Sequence, residues 1–574
     1  MPEYQSMLVE TTYGPIIGYE DAGFLTTEST VDHTHLITSV PVTKFLGVPY
    51  GQAERWKRAQ PPTPWKEPLL CHKFGPSFPQ WQVSPLDDFF RERLLSLRHS
   101  EQSEEKGFTV NIFCPSGVKE GENLPVLVWV YGGGLLHGCS SIPVYDPTEW
   151  IRREASNGRK FIVVTGNHRT NLLGFLASSD LAEEDPEGLA GNYGAYDCIS
   201  YFQWVQKNIS KFGGDPDNVT AFGESAGATM LAYLMLCKEK LFRRVILQSG
   251  AINTKPYISW QTHQDTHQEL LKKASITAES REERLNALRE LPIAQLMEYF
   301  STSHYQVGFA PENASSPAAI WSESCPLSRL KAGNWSPHIE SVMMGFCKDE
   351  GGLFAWMTAS HTREGFDRIR NNFLAGADEQ KLRQLYDLPN QANIDNPPEG
   401  APLDVTRCSG SLAVADRLFK VPFELLLAAL DGAKNWETQK PLSIYVYTLE
   451  GTVIEATPPS RFCGVSHMVD IALVFNMCHL WAAGSESARI SATVGRAWYD
   501  YAKEGRPGGT KWPAYQRDRS PYKLLFRQDG GSALHDVRKR PEGELHRMPF
   551  WADQFGLAQF WDPPAPHHSA SIDG

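Results

Sequence analysis

The sequence predicts an α/β fold in which helices flank a central, mostly parallel, twisted sheet. In the first half of the chain, short apolar runs rich in β-branched residues alternate with longer helical segments, a pattern typical of strands joined by crossovers. These runs are residues 124–131, 161–165, 219–222 and 244–248. The 574 residues are 41% hydrophobic, which is enough to bury the large core that such a sheet requires.

The organisation of the chain favours one large domain, residues 1–574, that carries insertions. No Pro/Gly/Ser-rich linker divides the sequence, and it contains no internal repeat. Residues 81–107 form the clearest insertion. Within it, apolar side chains recur at helical spacing in residues 86–97, so a helix with one apolar face is expected there. A surface helix packed on the body is favoured over a lid that covers a substrate.

Charge and hydropathy argue against nucleic acid as a partner and against a transmembrane segment. The formal net charge is −12, the pI is near 5.8, and the chain has no long run of basic residues. Such a chain repels phosphate backbones, so nucleic acid is not an expected partner. The longest apolar stretch, residues 125–136, contains glycines and is shorter than the roughly 20 residues of a membrane span. No transmembrane segment is therefore expected.

The N-terminus and the cysteines predict a cytoplasmic protein. Residues 1–10 lack the basic patch and the apolar run of a secretory signal. The 10 cysteines show neither CxxC nor Cys/His metal spacing, so we expect neither a zinc site nor a disulfide scaffold. Most of these cysteines should be buried free thiols.

One short motif indicates a nucleophile. Residues 223–227 read Gly-Glu-Ser-Ala-Gly, a G-x-S-x-G pentapeptide that is a weak signal by itself. Its context is stronger, because residues 218–222 are typical of a buried strand and residues 226–236 of a helix. A sharp turn between them would expose the hydroxyl of Ser225, with glycines on both sides to avoid collisions. The same turn would point the amide of Ala226 at the oxygen of an attacked carbonyl.

A glycine-rich loop upstream offers further hydrogen-bond donors. Residues 131–138, Tyr-Gly-Gly-Gly-Leu-Leu-His-Gly, follow a predicted strand at residues 126–130. Glycines let the backbone approach a substrate closely, so the amides of Gly133 and Gly134 are expected to complete an oxyanion hole with Ala226. A phosphate-binding loop is disfavoured because no Gly-Lys-Ser/Thr follows.

A serine nucleophile needs a base, and the base needs an acid that orients it. On a strand–turn–helix nucleophile of this kind, the acid and then the histidine follow later in the chain. The acid is sought at Asp349 or Glu350, in a glycine-bearing loop after an apolar run. The base is sought at His467, in another glycine-bearing loop. Spacing alone does not select it over other histidines, among them His137, His304 and His479.

Several longer blocks surround the pentapeptide. The most specific one runs from Gly-Asn-Tyr-Gly-Ala-Tyr-Asp at residues 191–197, through Phe-Gly-Gly-Asp-Pro at residues 212–216, to the pentapeptide itself. Shorter blocks lie at residues 46–50, 167–175, 247–250 and 512–515. Together these blocks resemble the type B carboxylesterase and cholinesterase-like family, whose members have the α/β-hydrolase fold. The likeness spans nearly the whole chain and is weakest between about residues 255 and 335.

The resemblance implies a catalytic triad of Ser225, Glu350 and His467. The family pattern Lys-Asp-Glu-Gly places the acid on Glu350, and the pattern Gly-Val-x-His places the base on His467. Because all three residues are present, a non-catalytic adhesion member of the family is disfavoured. The resemblance also implies a structural ion pair between Arg55 and Glu105.

One departure from the family supports an intracellular location. Where secreted relatives carry a cysteine in the pattern Gly-Pro-x-Cys-Pro-Gln, this chain has Phe78, and the partner cysteine is missing from residues 105–108. Both halves of one disulfide are absent together, as expected if the bond cannot form in a reducing compartment.

The expected activity is hydrolysis of carboxylic esters through an acyl-enzyme. His467 would deprotonate Ser225, the amides of Gly133, Gly134 and Ala226 would hold the oxyanion, and water would release the acyl group. No metal or organic cofactor is needed for this chemistry. Small to medium lipophilic esters are the expected substrates. The alternatives are a lipase or sterol esterase, an acyltransferase in small-molecule metabolism, and a non-enzymatic binding protein; the oligomeric state stays open.

Overall fold

Thirteen strands form one sheet in the computed structural model. The structure describes residues 6–23, 40–81, 101–301, 305–322, 325–358, 363–386, 409–453, 463–508, 512–539 and 542–561. The strands within these residues are β1 (Ser6–Glu10), β2 (Pro15–Asp21), β3 (Val42–Pro49), β4 (Leu69–Leu70), β5 (Thr109–Pro115), β6 (Leu124–Val130), β7 (Ile162–Gly166), β8 (Gly214–Glu224), β9 (Arg244–Gln248), β10 (Ser341–Cys347), β11 (Ser443–Leu449), β12 (Tyr522–Phe526) and β13 (Ser532–Asp536).

The sheet is parallel at its centre and antiparallel towards both edges. Its strand order is β1-β2-β3-β5-β7-β6-β8-β9-β10-β11-β12-β13, with the short β4 paired to β2. Along this order, every pair from β7 to β12 is parallel, whereas the pairs from β1 to β7 and the pair β12–β13 are antiparallel. The prediction of an α/β fold with a mostly parallel sheet is confirmed.

The central strands lie where the apolar runs predicted them, with one difference in length. β6 and β7 are buried almost throughout, which explains why their sequences are continuously apolar rather than alternating. β8 begins at Gly214, well before the predicted start at residue 219. The added residues are mostly polar and pair with β6 only at Leu124, across a shift in register, so the hydrophobic pattern does not mark them.

Seventeen α-helices accompany the sheet in the described residues. They are α1 (Thr148–Ser156), α2 (Asn171–Phe175), α3 (Ser179–Glu184), α4 (Tyr193–Asn208), α5 (Ala226–Leu234), α6 (Trp260–Lys273), α7 (Arg281–Glu290), α8 (Ile293–Ser301), α9 (Pro326–Lys331), α10 (Gly352–Met357), α11 (Arg363–Phe373), α12 (Glu379–Tyr386), α13 (Ser409–Ala415), α14 (Val421–Leu430), α15 (Val469–Val474), α16 (Glu486–Glu504) and α17 (Glu542–Gln554). A π-helical turn, Asp416–Lys420, joins α13 to α14. α5 packs on β8 and β9, and α16 packs on β6 and β8. None of the helices in the described ranges combines the length and the apolar character needed to cross a bilayer.

The predicted helix at residues 86–97 lies outside the described residues, so the choice between a lid and a surface helix stays open. The two ends of the insertion that carries it are described and are tied together. The amide of Ser77 donates to the carbonyl of Glu101 over 2.8 Å. The side chain of Gln102 donates to the carbonyl of Gln80 over 3.0 Å. The insertion therefore leaves and rejoins the body at one place.

A buried ion pair joins two of the blocks that carry the family resemblance. The guanidinium of Arg169 donates two hydrogen bonds to Asp197, from Nε over 2.8 Å and from Nη2 over 2.7 Å, and the backbone amide of Arg169 donates a third over 2.9 Å. The rings of Phe108 and Tyr193 flank the guanidinium. Both charged side chains are almost fully removed from water, so each needs the opposite charge of the other to offset the cost of its burial.

The predicted ion pair of Arg55 with Glu105 is wrong by one residue. Arg55 binds Glu104 instead, with Nη2 2.9 Å from Oε2 and Nε 3.0 Å from Oε1. Residues 104 and 105 are both glutamates, so the local sequence does not distinguish them, and only the path of the turn decides which one faces Arg55.

An aromatic contact stands where secreted relatives are expected to carry a disulfide. The rings of Phe78 and Phe108 pack edge to face, with centroids 4.8 Å apart. A Cβ on Gly107 would fall 2.7 Å from the ring of Phe78, so the absence of a side chain at residue 107 makes room for that ring. Seven of the nine cysteines among the described residues are buried, as expected from the sequence.

The Arg169–Asp197 pair supports a prediction about stability. Replacing Asp197 with Asn should lower the free energy of unfolding by about 3–5 kcal/mol, because the change leaves a buried guanidinium without its counter-ion. Glu120→Gln is the matched control, since Glu120 pairs with Lys211 at the surface and such pairs contribute about 1 kcal/mol or less. Urea unfolding followed by fluorescence measures both changes. Equal losses in the two variants would contradict the structural role of Asp197.

Candidate active site

Ser225 is the single residue between a strand and a helix. β8 ends at Glu224 and α5 begins at Ala226, and the serine between them has φ 58° and ψ −124°. A serine rarely adopts this conformation, which indicates local strain. The backbone is fixed by a hydrogen bond of 2.8 Å from the amide of Ser225 to the carbonyl of Gln248 at the end of β9. The predicted strand–turn–helix geometry is present.

The glycine-rich loop after β6 lies against this turn. A Cβ on Gly132 would fall 2.9 Å from Cβ of Ser225 and 2.7 Å from the carbonyl oxygen of Glu224, so only glycine allows this approach. Gly133 and Gly134 have φ values of 108° and 66°, which favour glycine. Among the described residues, neither of their amides donates a hydrogen bond to the protein. The amide of Ala226 belongs to the first turn of α5, where helical amides have no acceptor within the helix.

Glu350 and His467 are brought together from loops that follow neighbouring strands. Glu350 comes after β10 and His467 after β11. Nδ1 of His467 lies 2.7 Å from Oε2 of Glu350, and the other carboxylate oxygen accepts a hydrogen bond of 2.7 Å from the amide of Cys347. Both side chains are buried. This arrangement fixes the orientation of the imidazole. It also favours a proton on Nδ1, which donates a hydrogen bond to the carboxylate.

The neighbouring carboxylate, Asp349, has a different role. Its Oδ2 accepts a hydrogen bond of 3.0 Å from the amide of Val465, and its own amide donates to the carbonyl of Val465 over 2.9 Å. Asp349 therefore holds the loop that carries His467, while Glu350 contacts the imidazole. Of the two adjacent acids that the sequence offered, the structure places only Glu350 on the histidine.

The second nitrogen of His467 faces a residue that the sequence analysis did not single out. Nε2 lies 3.0 Å from Oε1 of Glu224, the residue immediately before Ser225. Among the hydrogen bonds of the described residues, none joins the hydroxyl of Ser225 to His467. The imidazole thus lies between two buried carboxyl groups, with Ser225 adjacent to one of them.

The electrostatics of this cluster favour a proton on His467. Burial alone would lower the pKa of His467, but the carboxylates of Glu224 and Glu350 outweigh burial and raise the pKa from 6.5 to about 9. Burial raises the pKa of Glu224 well above its ordinary range, although His467 opposes this shift. Burial also raises the pKa of Asp470, to about 6. Proton binding at Glu224 and His467 is therefore coupled.

A hydrogen-bonded chain behind the imidazole was also missed. Nε2 of Gln248 donates to Oδ2 of Asp470 over 2.7 Å, and the indole of Trp498 donates to Oε1 of Gln248 over 3.0 Å. The aromatic ring of Phe419 packs on His467 with centroids 4.4 Å apart. The nearness of Asp470 to His467 in the sequence was an available signal, whereas nothing in the local sequence marks Phe419.

The alternative histidines do not replace His467. His304 lies outside the described residues, and His479 is exposed in the short turn Cys478–Leu480. His137 is on the glycine-rich loop, where burial and then the charge of Lys255 lower its pKa to about 4. The carboxylate of Glu350 is bonded to His467 alone among the histidines of the described residues.

A cavity of about 690 Å³ lies elsewhere, beside α1, α16 and β12. It is lined by charged side chains that already pair with one another: Glu154 contacts Arg153 at 3.0 Å and Arg159 at 2.6 Å. Neither Ser225 nor the groups around it line this cavity, so its size does not make it the site of chemistry.

A parallel sheet with a serine on a strained strand-to-helix turn, followed along the chain by an acid and a histidine after later strands, defines the α/β-hydrolase fold. The model of the Carboxylesterase family matches residues 6–540, and the chain belongs to this family. It is a carboxylic ester hydrolase.

Several relatives match over different extents of the chain. It is 29% identical to the para-nitrobenzyl esterase of Bacillus subtilis over 536 residues, which cover 89% of this chain and 93% of the relative. It is 27% identical to a cholinesterase of Mus musculus, over 89% of this chain and 83% of the relative. A shorter match, 38% identical over 217 residues, relates it to the fumonisin B1 esterase of Sphingopyxis macrogoltabida and covers 37% of each chain.

The contact between Glu224 and His467 supports a prediction about pH. If a neutral imidazole is needed for ester hydrolysis, activity falls below the pKa of His467, which the carboxylate of Glu224 raises. Glu224→Gln removes this charge, so the acidic limb of the kcat/KM profile should move to lower pH by about one unit or more. Glu340→Gln, at an exposed residue, is the control and should leave the limb in place. A profile that moves to higher pH in Glu224→Gln would contradict this account.

Proposed function

We propose that the protein hydrolyses carboxylic esters through an acyl-enzyme formed on Ser225, with His467 as the general base and Glu350 as the residue that orients it. The observation that carries this proposal is the 2.7 Å contact between Glu350 and Nδ1 of His467, beside the strained turn of Ser225. A carboxylate on Nδ1 leaves Nε2 as the nitrogen that exchanges a proton during the reaction.

In the first half of the proposed reaction, one proton passes from Ser225 to His467 and then from His467 to the leaving alcohol. The hydroxyl of Ser225 attacks the ester carbonyl while its proton passes to Nε2 of His467. The tetrahedral intermediate collapses, the carbon–oxygen bond to the alcohol breaks, and His467 returns the proton to the leaving oxygen. Water then attacks the acyl-enzyme with the same assistance, which releases the acid and restores Ser225.

A tetrahedral intermediate forms twice, once when Ser225 attacks and once when water attacks. The amides of Gly133, Gly134 and Ala226 would hold its negative oxygen each time. The first two amides have no acceptor among the described residues, and the third lies at the start of α5, where the helix dipole also favours negative charge. The close packing of Gly132 against the serine turn, which leaves no room for a Cβ, supports this role because it places the loop beside Ser225.

Glu224 adds a step that a three-residue triad lacks. Nε2 of His467 is close to Glu224, so the imidazole must exchange this partner for the hydroxyl of Ser225 before proton transfer. Ser225 follows Glu224 directly in the chain, so one turn carries both partners of the imidazole in this proposal. Catalytic hydrogen bonds are often long or misaligned without substrate and become shorter when substrate binds.

The surroundings of His467 support small to medium lipophilic esters as substrates. The rings of Phe354 and Phe419 contact the imidazole, with centroids 5.4 Å and 4.4 Å away, and offer an apolar surface next to the reacting groups. The name of one relative, a para-nitrobenzyl esterase, also points to esters with an aromatic part.

Hydrolysis of p-nitrophenyl butyrate tests the assignment. Ser225→Ala, His467→Ala and Glu350→Gln should each lower kcat by about 10³-fold or more, because each removes a part of one catalytic unit. Asp349→Asn is matched to Glu350→Gln and should cost less than about tenfold, because asparagine can still accept the hydrogen bond from Val465. Thermal unfolding monitors the fold of each variant. A larger loss in Asp349→Asn than in Glu350→Gln would overturn the assignment of the acid.

The glycine-rich loop can be tested separately. Gly132→Ala places a methyl group within 2.9 Å of the side chains of Glu224 and Ser225, so the loop must move away from the nucleophile. We expect kcat/KM for p-nitrophenyl butyrate to fall about tenfold or more, since catalysis depends on donors held in place. Gly543→Ala is the control, because there a Cβ meets only the flexible end of Arg547. An undiminished kcat/KM in a folded Gly132→Ala protein would contradict the role of the loop.

A further inference from the structure

A lysine lies beside the glycine-rich loop. Lys255 follows the turn Ile252–Thr254, which comes after β9, and the hydroxyl of Tyr233 donates to its carbonyl oxygen over 3.2 Å. Cε and Nζ of Lys255 both lie 3.9 Å from the position that a Cβ on Gly134 would take. The ammonium group is therefore adjacent to one of the amides proposed to hold the oxyanion.

An arginine lies on a neighbouring turn. Arg417 belongs to the π-helical turn Asp416–Lys420, which contacts the turn that precedes Lys255. Two residues further along the same π-helical turn, Phe419 packs on the imidazole of His467. Lys255 and Arg417 thus come from two touching turns, one beside the glycine-rich loop and the other beside the base.

Neither cation has an acidic partner in the part of the chain that the structure describes. Arg417 contacts the aromatic rings of Trp551 and Phe555, with centroid distances of 5.8 Å and 5.7 Å. The one acid on its own turn, Asp416, is bonded to Arg547 over 2.8 Å. In a chain with 67 acidic and 55 basic residues, two adjacent cations without counter-ions are a local excess of positive charge.

The pKa shifts of Lys255 and His137 agree with the positions of these groups. Burial and then the charge of Arg417 lower the pKa of Lys255 to about 8. The charge of Lys255, after burial, lowers the pKa of His137 on the glycine-rich loop. Among the described residues, no carboxylate counters either shift. Partly buried charges without partners are unfavourable, and an anionic ligand would relieve this cost.

We propose that Lys255 and Arg417 bind a free carboxylate carried by the ester substrate, so that the preferred substrates combine an apolar body with one negative charge. A guanidinium binds a carboxylate through two parallel hydrogen bonds, and an ammonium adds a third donor from another side. Phe354 and Phe419 would contact the apolar part. This inference rests on the proposed reaction at Ser225 and adds the class of substrate that the site selects.

The test compares charged and neutral esters of similar size in the full-length protein. For a carboxylate on the acyl half, mono-p-nitrophenyl adipate is compared with p-nitrophenyl heptanoate. For a carboxylate on the alcohol half, para-acetoxybenzoate is compared with para-tolyl acetate. In at least one pair, the wild-type kcat/KM should be higher for the charged ester by about tenfold, the effect of one or two charged hydrogen bonds. The pair that shows the preference identifies the half of the substrate that carries the charge.

Variants then connect the preference to the two cations. In Lys255→Met and in Arg417→Met, the ratio of charged to neutral kcat/KM should fall about tenfold, while Lys255→Arg should keep most of it. Lys503→Met is the matched control, because Lys503 is an exposed lysine beside the ring of Tyr499 in the last turn of α16. This control should leave the ratio unchanged. Equal loss for charged and neutral esters in the Lys255 and Arg417 variants would overturn the proposal, as would a wild-type enzyme that prefers the neutral ester in both pairs.

Inhibition of the wild-type enzyme tests the proposal without any variant. Adipate should compete with p-nitrophenyl butyrate, whereas hexanediol, its uncharged counterpart, should not; equal effects of the two compounds would count against a carboxylate site. Failure of the proposed function is a separate outcome. It would appear as a Ser225→Ala protein that still hydrolyses the neutral esters, whatever the charge preference of the enzyme.

Discussion

The hydrogen bond between Glu350 and His467 depends on the order of the central strands and gives the site its chemical character. The two residues are far apart in sequence and meet because β10 and β11 are adjacent and parallel, so that the loops at their carboxyl ends share one edge of the sheet. β9 alone separates β10 from β8, the strand that ends one residue before Ser225. The long crossovers between these strands therefore position the three side chains at one edge of the sheet.

Burial makes negative charge unfavourable at this edge of the sheet. Three carboxyl groups, those of Glu224, Glu350 and Asp470, surround one imidazole with almost no access to water. Two of them, Glu224 and Asp470, have raised pKa values, so the cluster reduces its negative charge by binding protons. Near Gly134 the balance is reversed, because Lys255 and Arg417 contribute positive charge that no acid of the described residues neutralises. The proposed acyl transfer and the proposed recognition of a carboxylate thus involve opposite kinds of local charge.

Much of the fold could be predicted from the sequence, because the central strands are continuously apolar and their spacing is typical of crossovers. β9 was predicted with its observed bounds, and β6 and β7 within one residue at each end. The polar start of β8 could not be predicted, since it depends on pairing with Leu124 rather than on burial. The ion pair of Arg55 with Glu104 rather than Glu105 was missed for a related reason: the choice between equivalent neighbours depends on the path of a turn.

At the site, the pattern of residues located Ser225 and the glycine-rich loop, whereas the selection of Glu350 and His467 needed the family resemblance. Residue types could not reveal that Glu224 would lie against Nε2 of His467, because this contact follows from the direction in which the turn at Ser225 points its neighbours. The cations Lys255 and Arg417 come from distant segments without any shared motif, and only their position in space connects them. That the protein works in the cytoplasm stays a prediction from the sequence.

The most direct measurement is the mass of the protein after reaction with diethyl p-nitrophenyl phosphate, followed by peptide mapping. We expect one diethylphosphoryl group per chain, attached to Ser225, with much slower labelling in His467→Ala and none at this peptide in Ser225→Ala. Equal labelling of the Ser225→Ala protein, or attachment of the group at another residue, would contradict the claim that Ser225 is the nucleophile activated by His467.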